Sequence, residues 1–256
     1  MIESTSVDGV TVLTLKHGKA NALDLELCEA LTGRFLALRL ADSKAVVLTG
    51  TRRIFSAGVD LKRVSAGGAA YVREFLPSLH RLYEAIFFHP RPVVAAINGH
   101  AVAGGCILAC CADRRIMARD SGRIGVTELL VGVPFPALAF EIMRFAVPMR
   151  VLPEFTYSGA TYAIDAALDR GWVDEIAEPA ELLEDAIAVA KELADLSPAA
   201  FAQTKAQMRA PVAERFAVSG AVTDKAVTDI WCAPETLTRV RDYVTRTLGQ
   251  GKRAID

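Results

Sequence analysis

Phe55-Ser56-Ala57-Gly58-Val59-Asp60-Leu61-Lys62 and, about forty residues on, Asn98-Gly99-His100-Ala101-Val102-Ala103-Gly104-Gly105-Cys106 are the stretches whose reading decides the fold. Glycine lets a backbone take left-handed turns and lets a ligand approach closely, so both stretches can present free backbone N–H groups at the ends of strands. Two such donors converging on one point make an oxyanion hole, which stabilises charge developing on a carbonyl oxygen. Losing one donor of such a pair slows catalysis by roughly a hundred- to a thousand-fold.

The flanking pattern supports this placement. Ala45-Val46-Val47-Leu48-Thr49-Gly50 is a short apolar run closed by glycine and reads as a buried strand carrying the first loop. Pro92 to Ala112 is apolar enough to raise a membrane-spanning reading, which needs about 20 such residues. Asn98, Gly99, His100, Gly104 and Gly105 interrupt it, so it divides into a strand from Val93 to Ile97, a glycine turn and a buried helix from about Gly104 to Ala112. Val10 to Leu15 and Arg114 to Ala118 read as strands, as does Trp172 to Ala177. Leu23 to Leu40 and Tyr71 to Phe88 read as helices, the second stopped by Pro90-Arg91-Pro92. From Ala180 the pattern is helical, with Ser197-Pro198 as a cap and first turn and Pro211 and Pro234 as later punctuation. These runs predict a mixed α/β core over residues 1–195 and a helical subdomain over 196–256.

The 256 residues carry 29 basic and 30 acidic side chains, which gives no bulk electrostatic case for nucleic acid or an anionic membrane. Five cysteines, an odd number without metal-like spacing, read as reduced core residues of a cytoplasmic protein. Met1-Ile2-Glu3-Ser4-Thr5 lacks the basic start and apolar run of a signal peptide. No Gly-x-Gly-x-x-Gly follows the first strand, which disfavours a dinucleotide-binding dehydrogenase.

In their order and spacing, the two glycine stretches resemble the crotonase (enoyl-CoA hydratase/isomerase) superfamily. The resemblance extends to Lys19-Ala20-Asn21-Ala22-Leu23 before them, and to Thr127-Glu128-Leu129 and Ala166-Ala167-Leu168-Asp169-Arg170-Gly171-Trp172-Val173-Asp174-Glu175-Ile176 after them. It implies a spiral core of repeated strand-strand-helix turns with a helical C-terminal part, assembled as a homotrimer or hexamer. It further implies an acyl-CoA thioester as substrate, with no separate cofactor and no metal. The backbone N–H groups of Val59 and Gly104 would then hold the thioester oxygen. Lys19 and Lys62 would face the phosphates of coenzyme A, with Ala20, Ala57, Asp60 and Leu61 along its adenine side.

Glu128 lies in the apolar run Gly125 to Gly132, where burial raises a carboxyl pKa towards the range of a general base. Hydratases of the superfamily use a second glutamate three residues after the second oxyanion glycine, and that position here is Ile107. Their glycine-rich water-placing stretch is replaced by Gly132-Val133-Pro134-Phe135-Pro136, and proline has no N–H. The expectation is therefore isomerisation of a 3-enoyl-CoA to a 2-enoyl-CoA by one glutamate. Hydration of a 2-enoyl-CoA and non-catalytic acyl-CoA binding are the alternatives.

His100 carries no chemical role in this reading, and Asp113 is expected to hold backbone amides. Lys205 reads as a solvated helix residue. Phe135, Phe140, Met143 and Phe145 are left between acyl pocket and core. The superfamily's usual C-terminal tail is not visible, which puts a neighbouring subunit's contact with coenzyme A in doubt.

Overall fold

The computed structural model describes residues 1–119 and 122–248. The chain opens with β1 (Ile2–Val7) paired antiparallel to β2 (Val10–Leu15), turning through Asp8 and Gly9, both with positive φ. Sequence pattern passes over β1 because four of its six residues are the polar run Glu3 to Ser6, all exposed, as an edge strand allows. Asp24 then caps α1 (Leu25–Leu38), its Oδ1 accepting the Leu27 N–H at 2.8 Å.

From here the chain repeats one move. β3 (Ala45–Thr49) lies parallel to β2, β4 (Ile54–Ser56) steps into a second sheet, and α2 (Leu61–Phe87) returns. β5 (Val93–Ile97) then joins β3, β6 (His100–Val102) joins β4, and α3 (Gly104–Cys110) follows. β7 (Arg114–Ala118), β8 (Ile124–Gly125) and α4 (Glu128–Val131) make the third turn. Strands β3, β5 and β7 thus fall in one sheet in chain order, and β4, β6 and β8 in the other. This is the crotonase spiral, in which successive parallel strands are joined by connections that cross from sheet to sheet.

After α5 (Ala137–Ala146) and α6 (Leu152–Ser158), β9 (Thr161–Tyr162) closes the smaller sheet antiparallel to β8. α7 (Ile164–Asp169) leads to β10 (Glu175–Ala177), which ends the larger sheet beside β7. The larger sheet is buried on both faces. Leu13, Leu15, Val46 and Leu48 face the main core, while Val10, Val12, Ala45 and Val47 pack with Leu182, Ala186 and Ala190 of α8 (Leu182–Ala194). Such two-sided burial is why these strands read as continuous apolar runs.

The 195/196 division falls in the short link between α8 and α9 (Pro198–Cys232). Ser197 caps α9 and Pro198 occupies its first turn, as expected. Pro211, expected to punctuate, lies inside α9, and the helix runs through it. Pro234 opens α10 (Pro234–Tyr243), followed by a π-helical turn, Val244–Leu248. In α2 the helix starts ten residues before the expected Tyr71 and bends at Gly68, whose φ of 58° and ψ of −149° no helix accommodates.

Candidate active site

The two glycine stretches meet. Leu23 pairs with Val59 as an isolated parallel bridge, its N–H donating to the Gly58 carbonyl at 2.8 Å and its carbonyl accepting from Asp60 N–H at 2.9 Å. Because Leu23 engages the residues on either side of Val59, the Val59 N–H is left out of the ladder. Ala103, with φ 52° and ψ −129°, turns the chain into α3 so that Gly104 is its first residue. Among the described residues, neither the Val59 nor the Gly104 N–H donates to a backbone carbonyl. A methyl group at Gly58 would lie only 2.8 Å from the Gly104 nitrogen, so the two turns pack backbone to backbone.

The entry loop is sewn to the same place. Asn21 has φ 47° and donates from Nδ2 to the carbonyls of Ile54 and Phe55, both at 3.2 Å. The Ala57 N–H donates back to Ala20 O at 3.0 Å, and the Ser56 hydroxyl to Asn21 O at 2.7 Å. An Asn at this spot tolerates the left-handed backbone and supplies the tying amide.

A cavity of about 450 Å³ opens beside these turns. Its lining includes Lys19, Ala20, Ala57, Val59, Asp60, Leu61, Lys62 and Glu128, so one cavity gathers every expected site residue except Gly104, which is buried and follows Ala103 of the lining in the chain. Lys19 and Lys62 are exposed at its rim. Asp60 caps α2, its Oδ1 accepting from the Lys62 and Arg63 N–H groups at 2.9 and 3.1 Å. Arg63 turns away to pair with Glu26 at 2.5 Å.

Glu128 begins α4 and is only 7% exposed. Burial pushes its carboxyl up to about 7, partly offset by the backbone N–H groups of Glu128 and Thr127. Its Oε2 is buried without a hydrogen-bond partner among the described residues. A carboxylate left this way is expensive structurally, and such groups concentrate where chemistry uses them. Ile107 is 2% exposed and belongs to the main core.

The lining holds nine residues to which the sequence reading gave no site role, and three of them carry rings. His17 is held by Asp24 at 2.6 Å, but the two are seven residues apart in a loop without periodicity. Trp231 and Tyr243 come from α9 and α10, and only their contact with the core brings them here. A buried Trp whose N–H needs a partner was the available signal for Trp231. Phe135, Phe140, Met143 and Phe145, left open between pocket and core, are absent from this lining: Met143 is buried in the core, and Phe135 and Phe140 pack together with ring centroids 6.3 Å apart.

Asp113 accepts from the Val93 N–H as expected, and also binds Lys205 and Arg209, each at 2.6 Å. Lys205 is therefore no solvated residue. It is 7% exposed, and its ammonium also donates to Arg91 O at 3.0 Å.

Comparison with known proteins bears on the family and the fold. The family model described as enoyl-CoA hydratase/isomerase matches residues 5–229. A putative enoyl-CoA hydratase of Thermus thermophilus is 38% identical over 165 residues, 63% of this chain and 64% of that protein, so the matched part spans somewhat under two thirds of the relative. The solved structure of a Mycobacterium tuberculosis enoyl-CoA isomerase superposes with a TM-score of 0.78 at 30% identity, covering 91% of this chain and 98% of the other. The human mitochondrial delta3-delta2-enoyl-CoA isomerase gives a TM-score of 0.92 over 98% and 99% of the two chains, at 24% identity, a likeness of fold.

Proposed function

The chain belongs to the enoyl-CoA hydratase/isomerase family, and on that premise we propose that it converts 3-enoyl-CoA thioesters to 2-enoyl-CoA thioesters with Glu128 as the sole acid–base group. The observation that carries this reading is the character of the lining carboxylates. Of the two, Asp60 is engaged in capping α2, whereas Glu128 is buried and has a free oxygen.

The Val59 and Gly104 N–H groups hold the thioester oxygen, and the start of α3 adds the positive end of a short helix dipole. Glu128, ionised, takes a proton from C2. The C2–H electron pair becomes the C1–C2 bond of a dienolate, and the carbonyl π pair moves onto oxygen between the two donors. Collapse of the dienolate restores the carbonyl and forms the C2–C3 double bond, while the electrons of the old C3–C4 double bond take the same proton from Glu128 at C4. No atom is gained or lost, and Glu128 ends ionised. Lys19 and Lys62 meet the coenzyme A phosphates, and Ala20, Ala57, Asp60 and Leu61 line its adenine side. The thioester is the substrate, and the step draws on no other cofactor.

Hydration needs a second group to hold and activate water, and the position that would supply it is the buried side chain of Ile107. The test is incubation with 3-enoyl-CoA and, separately, 2-enoyl-CoA in deuterated water, with Glu128→Gln alongside. Isomerisation with label at the α-carbon, abolished in the variant and unaccompanied by hydration, is expected. Hydration of the 2-enoyl thioester would replace this reading with the hydratase one, and acyl-CoA binding without turnover or exchange would leave a binding protein.

A further inference from the structure

Trp231 lines the cavity of Glu128, together with Val131. A second cavity of about 290 Å³ is lined by other residues of the same two segments, Val227 and Pro136, with Leu76, Pro77 and Phe216 completing its apolar part and Arg81 and Asp224 among its polar groups. Two chain segments run past both. Along α9, Val227 of the second cavity is one helical turn, about 5–6 Å, before Trp231. Along the stretch after Glu128, Val131 faces the first cavity and Pro136 the second. Trp231 Nε1–H donates to the Pro134 carbonyl at 2.9 Å, joining the two segments between Val131 and Pro136. Trp231 is 2% exposed and Val227 5%, so both side chains are buried.

The geometry points to Trp231 as the residue that limits acyl-chain length: the native enzyme takes short-chain enoyl thioesters, and the second cavity is an acyl extension shut off by the indole. This rests on reading the Glu128 cavity as an acyl-CoA site. The indole is suited to the role because its hydrogen bond to a backbone carbonyl fixes its rotamer, and proline at 134 leaves that carbonyl on a stiff segment. The space behind it is ample. The second cavity offers about 290 Å³ and opens towards solvent past the exposed Pro77 and Arg81.

The test compares 3-hexenoyl-CoA with 3-dodecenoyl-CoA in the native protein and in Trp231→Ala, Trp231→Phe and Val227→Trp. The native protein is expected to favour the hexenoyl thioester. In Trp231→Ala the dodecenoyl-to-hexenoyl ratio of kcat/KM rises by about ten-fold or more, which two further buried methylene groups would supply. Trp231→Phe keeps the ring without the N–H and retains the native preference. Val227→Trp fills the space behind the indole and leaves hexenoyl turnover unchanged. Combined with Trp231→Ala, it restores the short-chain preference. Equal native turnover of both lengths, or an unchanged ratio in Trp231→Ala, overturns the inference while the proposed reaction stands. Should Trp231→Ala not fold, Trp231→Leu carries the same comparison.

Calorimetric binding of saturated hexanoyl- and dodecanoyl-CoA to the same proteins reads the wall without any turnover. Absence of reaction with every thioester would therefore sink the proposed function, while the binding ratios still decide the role of Trp231.

Discussion

The Tyr83 hydroxyl donates to the Gly104 carbonyl at 2.9 Å, fastening α2 to the first residue of α3 beside the N–H that would face the thioester oxygen. Tyr83 is 1% exposed, and burial pushes its phenol well above the ordinary value, so it stays a donor across the working pH range. Its role is to hold the Gly104 backbone, since Tyr83 itself is absent from the cavity lining.

Tyr83→Phe is expected to lower kcat by about ten-fold, the worth of one net hydrogen bond, with little change in KM. The absorbance shift of a bound conjugated thioester reports polarisation of its carbonyl and should shrink in parallel. A variant with a full shift and normal kcat would remove Tyr83 from the positioning of Gly104.

Gly58→Ala places a methyl 2.6 Å from the Val102 carbonyl oxygen and 2.8 Å from the Gly104 nitrogen, on a backbone with φ of +79°. Both the clash and the left-handed conformation oppose it. Because the displaced atom is a donor of the proposed pair, turnover is expected to fall by roughly a hundred-fold or more. Single-turnover rates measured on the folded fraction separate this from a loss of stability.

Glu128 must be ionised to accept a proton, so kcat/KM for a 3-enoyl thioester is expected to rise with pH through about 7. Stability moves the other way. The folded protein keeps this proton up to about pH 7, whereas an unfolded chain releases it near the ordinary value of 4.5. The folded state thus binds more protons across that window, and stability falls as pH rises through it, by roughly 3 kcal/mol. Glu128→Gln should therefore gain thermal stability relative to the native protein between pH 5 and pH 8. A difference independent of pH would contradict the raised carboxyl.

Asp113 is the carboxylate shared by Lys205 and Arg209, whose side chains are 6% and 3% exposed. Asp113→Asn leaves two buried cations without a counter-charge, and burial already holds the Lys205 ammonium down at about 8. The expected cost is about 3–5 kcal/mol, read by urea denaturation. The hydrogen bonds described for this cluster tie Asp113, Lys205 and Arg209 to one another and to the backbone of Val93 and Arg91, so the specific activity of the folded variant should be close to native.

Much of this architecture is legible along the chain. β3 and β5 are short, largely β-branched or small apolar runs closed by Gly50 and Asn98, and two-sided burial makes such runs conspicuous, whereas β7 opens on Arg114 and Arg115 before its apolar half. β1 is not conspicuous, because its polar exposed residues have no apolar period. Pro211 misleads because a proline normally breaks a helix, whereas the packing of α9 against α2 and α5 outweighs that local penalty. Glu128 is singled out by the family resemblance, and its apolar neighbours predict the burial that raises its pKa.

The amino-acid sequence by itself determined five strands of the larger sheet and the main helices, and the identities of the site glycines and of the candidate glutamate. These rest on steric and hydrophobic preferences that act over a few neighbouring residues. Only the tertiary structure decided that Gly58 and Gly104 pack backbone to backbone, that Lys205 is buried against Asp113 across 92 residues, and that Trp231 meets Pro134 across 97. Such meetings depend on how the spiral and the C-terminal helices close over one another, and no local periodicity records which distant surface a buried side chain will face.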